Sequence, residues 1–147
     1  YGKVPWVTYT DPEVASVGCN EKRAKEAGVE YRVLSSPFRE IDRALAAGES
    51  QGMIKVLVRP SGTILGCQIA GHNAGELIHE WVAAVAGGVR LSRMAGAVHA
   101  YPTLSEISKK AAGSYYSEKL FSDRTRRVLR LLFGLRGNGG PTERKAG

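Results

Sequence analysis

An α+β domain is what the sequence predicts: an antiparallel β-sheet of about five strands with helices packed on one side. Three observations predict it. Residues 4–10 alternate β-branched and aromatic side chains, the period-two signature of a strand. Two longer runs, Met53–Val58 and Thr63–Ile69, flank Arg59-Pro60-Ser61-Gly62, in which the proline suits the second position of a turn and the glycine a positive φ. From Asn73 onward the period changes, and Leu77, Ile78, Trp81, Val82 and Val85 recur at helical spacing.

Taken in order, the first strand ends at the turn signal Asp11-Pro12, and Glu13–Gly18 extends again as a second strand. Asn20 has the short polar side chain of a helix N-cap, Glu21 suits the first turn, and Gly28 marks the stop, so a helix runs to Ala27. Residues 29–36 read as a further strand, followed by the hairpin. Asn73 and Glu76 stand at capping-box spacing before the helix that ends at Gly87-Gly88. A short helical turn over 91–95 leads to His99-Ala100-Tyr101-Pro102-Thr103-Leu104-Ser105-Glu106. Proline fits a first helical turn but disfavours helix in the residue before it, so Tyr101 is expected extended at the mouth of a helix with its ring outward. Thr103 and Glu106 form a second capping box, and the helix from Thr103 to about Tyr116 buries Leu104, Ile107, Ala111 and Tyr115.

The chain has 147 residues, 43% hydrophobic and 24% charged, enough to close one globular core without disulfides. Cys19 and Cys67 lie far apart and outside any C-x-x-C spacing, so they read as structural thiols of a reducing compartment rather than a redox pair or half of a zinc site. No metal site is expected. No stretch approaches the roughly 18 apolar residues of a membrane span, and the N-terminus lacks a signal-peptide pattern, which points to a cytoplasmic location. From Ser117 onward eight Lys or Arg face three acidic residues, +5 of the formal +7. The organisation expected is an interface domain over 1–116, a basic amphipathic helical extension over 117–136 and a disordered tail over 137–147. The extension could touch an anionic membrane weakly. With few interleaved aromatics and no recognition fold, no nucleic-acid partner is expected.

At Asp11-Pro12-Glu13-Val14-Ala15-Ser16-Val17-Gly18, Ile64-Leu65-Gly66 and Pro102-Thr103-x-x-Glu106 the chain resembles the C-terminal dimerisation domain of the FAD-dependent pyridine nucleotide-disulfide oxidoreductases, a family that includes dihydrolipoamide dehydrogenase and mercuric reductase. The resemblance covers residues 4–116. It implies a homodimer in which the 101–106 corner reaches the partner's flavin and dithiol, with Tyr101, Glu106 and His99 as catalytic candidates and Pro102 and Thr103 beside the cofactor. The family's usual histidine before the proline is Tyr101 here, and a tyrosine similarly placed in mercuric reductases helps to bind the metal ion. FAD and NAD(P)H are implied for the full-length protein, held by domains upstream. This stretch carries no Gly-x-Gly-x-x-Gly turn, and no cofactor is expected on it.

Each candidate has a structural alternative. Glu106 is explained by the capping box, Tyr101 by an interfacial contact and His99 by a local hydrogen bond. His72 and His79 read as structural. A second reading of the whole makes it a non-enzymatic interaction module, acting through its basic tail at a membrane surface or an acidic partner.

Overall fold

The computed structural model describes the backbone of residues 4–120 and the side chains of 4–117. The expected amphipathic extension from residue 121 to 136 and the tail over 137–147 lie outside the described residues. Residues 4–115 belong to one compact unit. Its elements are β1 (Trp6–Thr8), β2 (Glu13–Gly18), α1 (Glu21–Glu26), β3 (Arg32–Pro37), a 3-10 turn (Phe38–Glu40), α2 (Asp42–Ala47), β4 (Gly52–Val58), β5 (Ile64–Gly71), α3 (Ala74–Ala86), α4 (Leu91–Gly96) and α5 (Glu106–Leu120). The five strands form one sheet in the order β1-β2-β5-β4-β3, with every neighbouring pair antiparallel.

Register builds the core. Ala15 lies opposite Ile69, Ile69 opposite Ile54 and Ile54 opposite Ser36, and all four are buried. The β4–β5 turn closes as expected, Gly62 N–H donating to the Arg59 carbonyl at 2.8 Å with φ +85 at Gly62. Gly66 is required by packing, since a Cβ there would meet the backbone of Cys19 where the chain leaves β2 for α1.

The sheet face carrying Glu13, Ala15 and Val17 receives α3. The Glu13 carboxylate accepts a hydrogen bond from the Gly75 N–H at 2.8 Å, satisfying one of the unpaired donors at the start of that helix. This corrects the sequence expectation at Asn73, which sits in left-handed conformation (φ 56) and makes no side-chain cap. Trp81 is fully buried and its indole N–H donates to Ser108 Oγ at 2.9 Å, joining α3 to α5. The Tyr115 hydroxyl donates to the Pro60 carbonyl at 2.6 Å, and the Arg32 guanidinium lies 5.2 Å from its ring centroid. On the other sheet face Lys55 pairs with Glu21 of α1 at 2.9 Å, and the lysine holds the Glu21 carboxyl below its ordinary value through the hydrogen bond and then its charge.

Two further differences from the sequence reading concern helices. The α2 segment is not marked by strong periodicity. Six residues, Asp42-Arg43-Ala44-Leu45-Ala46-Ala47, wind into a short helix ended by left-handed Gly48 (φ 73). The last helix begins at Glu106, not Thr103, because Thr103 spends its hydroxyl on the Ala100 carbonyl (2.7 Å) and on Ser105 instead of capping. Only the return half of the capping box forms, Thr103 N–H to Glu106 Oε2 at 3.3 Å. Both cysteines are free, and burial pushes the Cys67 thiol well above its usual pKa, with the Glu80 charge adding to it.

If Glu13 is the cap of α3, Glu13→Ala lowers the unfolding free energy by about 1 kcal/mol, the usual cost of a lost N-terminal acceptor. Glu13→Gln, which keeps a carbonyl oxygen in place, costs clearly less. Urea denaturation of the two variants beside the wild type measures the difference.

Candidate functional site

The segment between α4 and α5 forms an outward corner held from two sides. Val98 is 93% and Tyr101 70% exposed, large apolar groups facing solvent. The Asp11-Pro12 and Tyr101-Pro102 peptides are cis. Pro102 does not open the helix directly as the sequence reading has it, but stands four residues ahead of α5.

Tyr101 donates its phenol proton to Asp42 Oδ2 on α2 at 3.0 Å. The hydrogen bond to Asp42 and then its negative charge push the phenol pKa above the ordinary tyrosine value, with a smaller push from the Glu106 charge. This bond stabilises the folded state fully below the ordinary tyrosine pKa and is lost only as pH rises through the raised one. At neutral pH the ring is a neutral phenol, not a base.

His99 goes elsewhere. Its side chain is only 9% exposed, and Nε2 lies 2.9 Å from Glu80 Oε1 on α3. Its Nδ1 is buried without a partner. The imidazole is thus paired with Glu80, and the structure shows no contact between it and Glu106. Tyr101 and Glu106 are brought together electrostatically, while His99 anchors the chain behind them. Pro102 is exposed and offers no donor, and the N–H, carbonyl and hydroxyl of Thr103 are all used within the corner. Glu106 and Asp42 share a cleft of about 400 Å³ with Glu40, Ala95, Lys109 and Lys110. Lys110 is tied to Glu40 at 2.9 Å. Among the described residues no group of three His, Cys, Asp or Glu side chains is placed to hold a metal ion.

Sequence reasoning missed Asp42 and Glu80. The signal for Asp42 was a run of helix formers from Asp42 to Ala47 closed by Gly48, and for Glu80 its place on the Trp81 helix. Neither reveals a partner 59 or 19 positions away.

Residues 4–112 match the family described as pyridine nucleotide-disulphide oxidoreductase, dimerisation domain. The mitochondrial dihydrolipoyl dehydrogenase of Pisum sativum is 45% identical over 121 residues, 82% of this chain and 24% of that protein. The leghemoglobin reductase of Glycine max is 45% identical over 119 residues, 80% and 23% of the two chains. Among solved structures, LpdA from Mycobacterium tuberculosis superposes with a TM-score of 0.72 at 27% identity, covering 76% of this chain and 25% of that one. The HOCl-induced flavoprotein disulfide reductase RclA from Escherichia coli, at 23% identity, TM-score 0.73 and coverage of 77% and 26%, shares the fold. The chain spans about a quarter of the length of the curated relatives it matches.

The two anchors differ in burial and so in worth. His99→Ala strips the Glu80 carboxylate of a largely buried donor and is expected to cost about 1–3 kcal/mol of unfolding free energy. Tyr101→Phe removes only an exposed hydrogen bond and is expected to cost clearly less. Thermal or chemical denaturation of the two single variants decides whether His99 is an anchor.

Proposed function

The chain belongs to the pyridine nucleotide-disulphide oxidoreductase family as its dimerisation domain, and from that premise we propose that it pairs with a second copy through the face bearing the 98–106 corner. The corner then forms one wall of the partner's acceptor site. The observation that carries this reading is a corner fastened internally by two carboxylates yet left with Val98 and Tyr101 in solvent. An exposed valine three residues from an exposed ring with a polar end is suited to an interface, and the ring, being anchored, is already ordered for it.

In this reading Tyr101 and Glu106 are the residues of the wall, Pro102 and Thr103 stand nearest the partner's cofactor, and His99 supports them from behind. The complete protein is a homodimeric, cytoplasmic FAD enzyme that takes electrons from NAD(P)H. The residues present here do not make a flavin or nicotinamide site. No Gly-x-Gly-x-x-Gly turn occurs in the sequence, and the polar groups of Thr103 are committed internally. The cofactors belong to other parts of the protein. The reading as an interaction module working through its tail is not favoured, because the family match covers the folded residues 4–112.

Sedimentation of the chain is expected to show a dimer, and Val98→Asp to weaken it by about tenfold or more while leaving the protomer folded by circular dichroism, since the side chain touches little within the protomer. A monomeric wild type at high protein concentration sinks the proposal. In the complete oxidoreductase, Glu106→Gln is expected to leave anaerobic flavin reduction by NAD(P)H unchanged and to lower turnover with the acceptor by about tenfold, the scale of one lost hydrogen bond.

A further inference from the structure

Asp42 sits on a helix that belongs to no recognised motif, 59 positions before Tyr101, yet among the described residues its carboxylate is the hydrogen-bond partner of the Tyr101 hydroxyl. A phenol has one proton to donate and lone pairs with which to accept. We propose that Asp42 is the positioning residue of Tyr101: by accepting the phenol's hydrogen bond it fixes the ring and leaves the oxygen's lone pairs facing outward, so that the corner meets the facing subunit as a hydrogen-bond acceptor matched there by a donor. The part that crosses the subunit boundary rests on the dimer reading above.

The geometry supports this from both ends. The ring is 70% exposed while its hydroxyl is tied at 3.0 Å, and a bond to a carboxylate is stronger and more directional than one to a neutral oxygen. The charged groups around it come from three places. Asp42 on α2 and Glu106 on α5 both act on the phenol. Glu40, Lys109 and Lys110 line the same cleft, Lys110 being neutralised by Glu40. His99, two residues earlier, is turned to Glu80 on α3. With carboxylates on two sides the phenolate is disfavoured, so the ring does not exchange its proton near neutral pH. A neutral or cationic N–H donor opposite it fits; a carboxylate or other anion does not.

The test uses the full chain with tyrosine labelled at the ring carbon bearing oxygen, Tyr101 being assigned by its loss in Tyr101→Phe. Carbon resonances followed through alkaline pH are expected to show Tyr101 titrating above the ordinary value of about 10. Asp42→Asn is expected to bring it down toward that value, and Asp42→Glu to raise it again. Wild-type Tyr101 titrating at or below the ordinary value, or an Asp42→Asn titration unchanged from wild type, overturns the assignment of Asp42. Sedimentation of the same samples reads the rest. Tyr101→Phe is expected to weaken the dimer by up to about tenfold by leaving the facing donor unpaired, and unchanged dimer affinity overturns the acceptor role. A wild-type monomer overturns the dimer reading itself, while the titration still decides what Asp42 does.

Discussion

A buried indole donating to a buried serine hydroxyl, Trp81 to Ser108, joins the two long helices of this domain, and the corner between α4 and α5 depends on that junction. α3 is seated on the sheet by the Glu13 carboxylate at its first turn, α5 by Tyr115 on the β4–β5 turn. Were either helix to shift, Glu80 and Glu106 would move apart, and with them the two ends of the segment from His99 to Glu106. Interiors packed at crystal-like density transmit such shifts instead of absorbing them. The corner is thus placed by the core although almost none of its own surface is core.

Carboxylates do much of the remaining work. Glu13 takes the Gly75 N–H, Asp42 the Tyr101 phenol, Glu106 the Thr103 N–H, and Glu80 faces His99 Nε2. Each of these links a loop or a strand to a helix, and in each a charged acceptor meets a single donor, the arrangement in which a hydrogen bond contributes most. The Lys55–Glu21 pair is different in kind. Both side chains are near two-fifths exposed, and pairs of that sort contribute about 0–1 kcal/mol.

What the sequence reveals and what it hides divide by range. The β4–β5 turn is legible because Pro60 and Gly62 act within four residues, and Gly28 and Gly87-Gly88 end their helices for equally local reasons. The caps are not. Asn73 has the right side chain and the right spacing but the wrong backbone, and the acceptor comes from Glu13, 62 positions before the Gly75 N–H it takes. Thr103 and Glu106 show the same split, one half of the expected box made and the other replaced by a bond to Ala100. The site was legible as a corner with a tyrosine and a glutamate. Its two supports were not, since Asp42 lies on a six-residue helix too short for periodicity to mark, and His99 is fixed by burial against Glu80, which no local pattern encodes.

The exchange of an imidazole for a phenol before Pro102 alters what such a corner can do more than where it sits. An imidazole is poised to gain or lose a proton near neutrality. A phenol is three to four pH units from doing so in water, and carboxylates beside Tyr101 push it further. The buried imidazole that the segment does contain is spent on Glu80. What the corner keeps is shape and hydrogen bonding: an amphipathic ring whose apolar body suits a half-buried contact and whose oxygen is already oriented. Ordering such a ring before contact spares the complex the entropy of fixing it, and the hydrogen bonds to two helices do that ordering within the protomer.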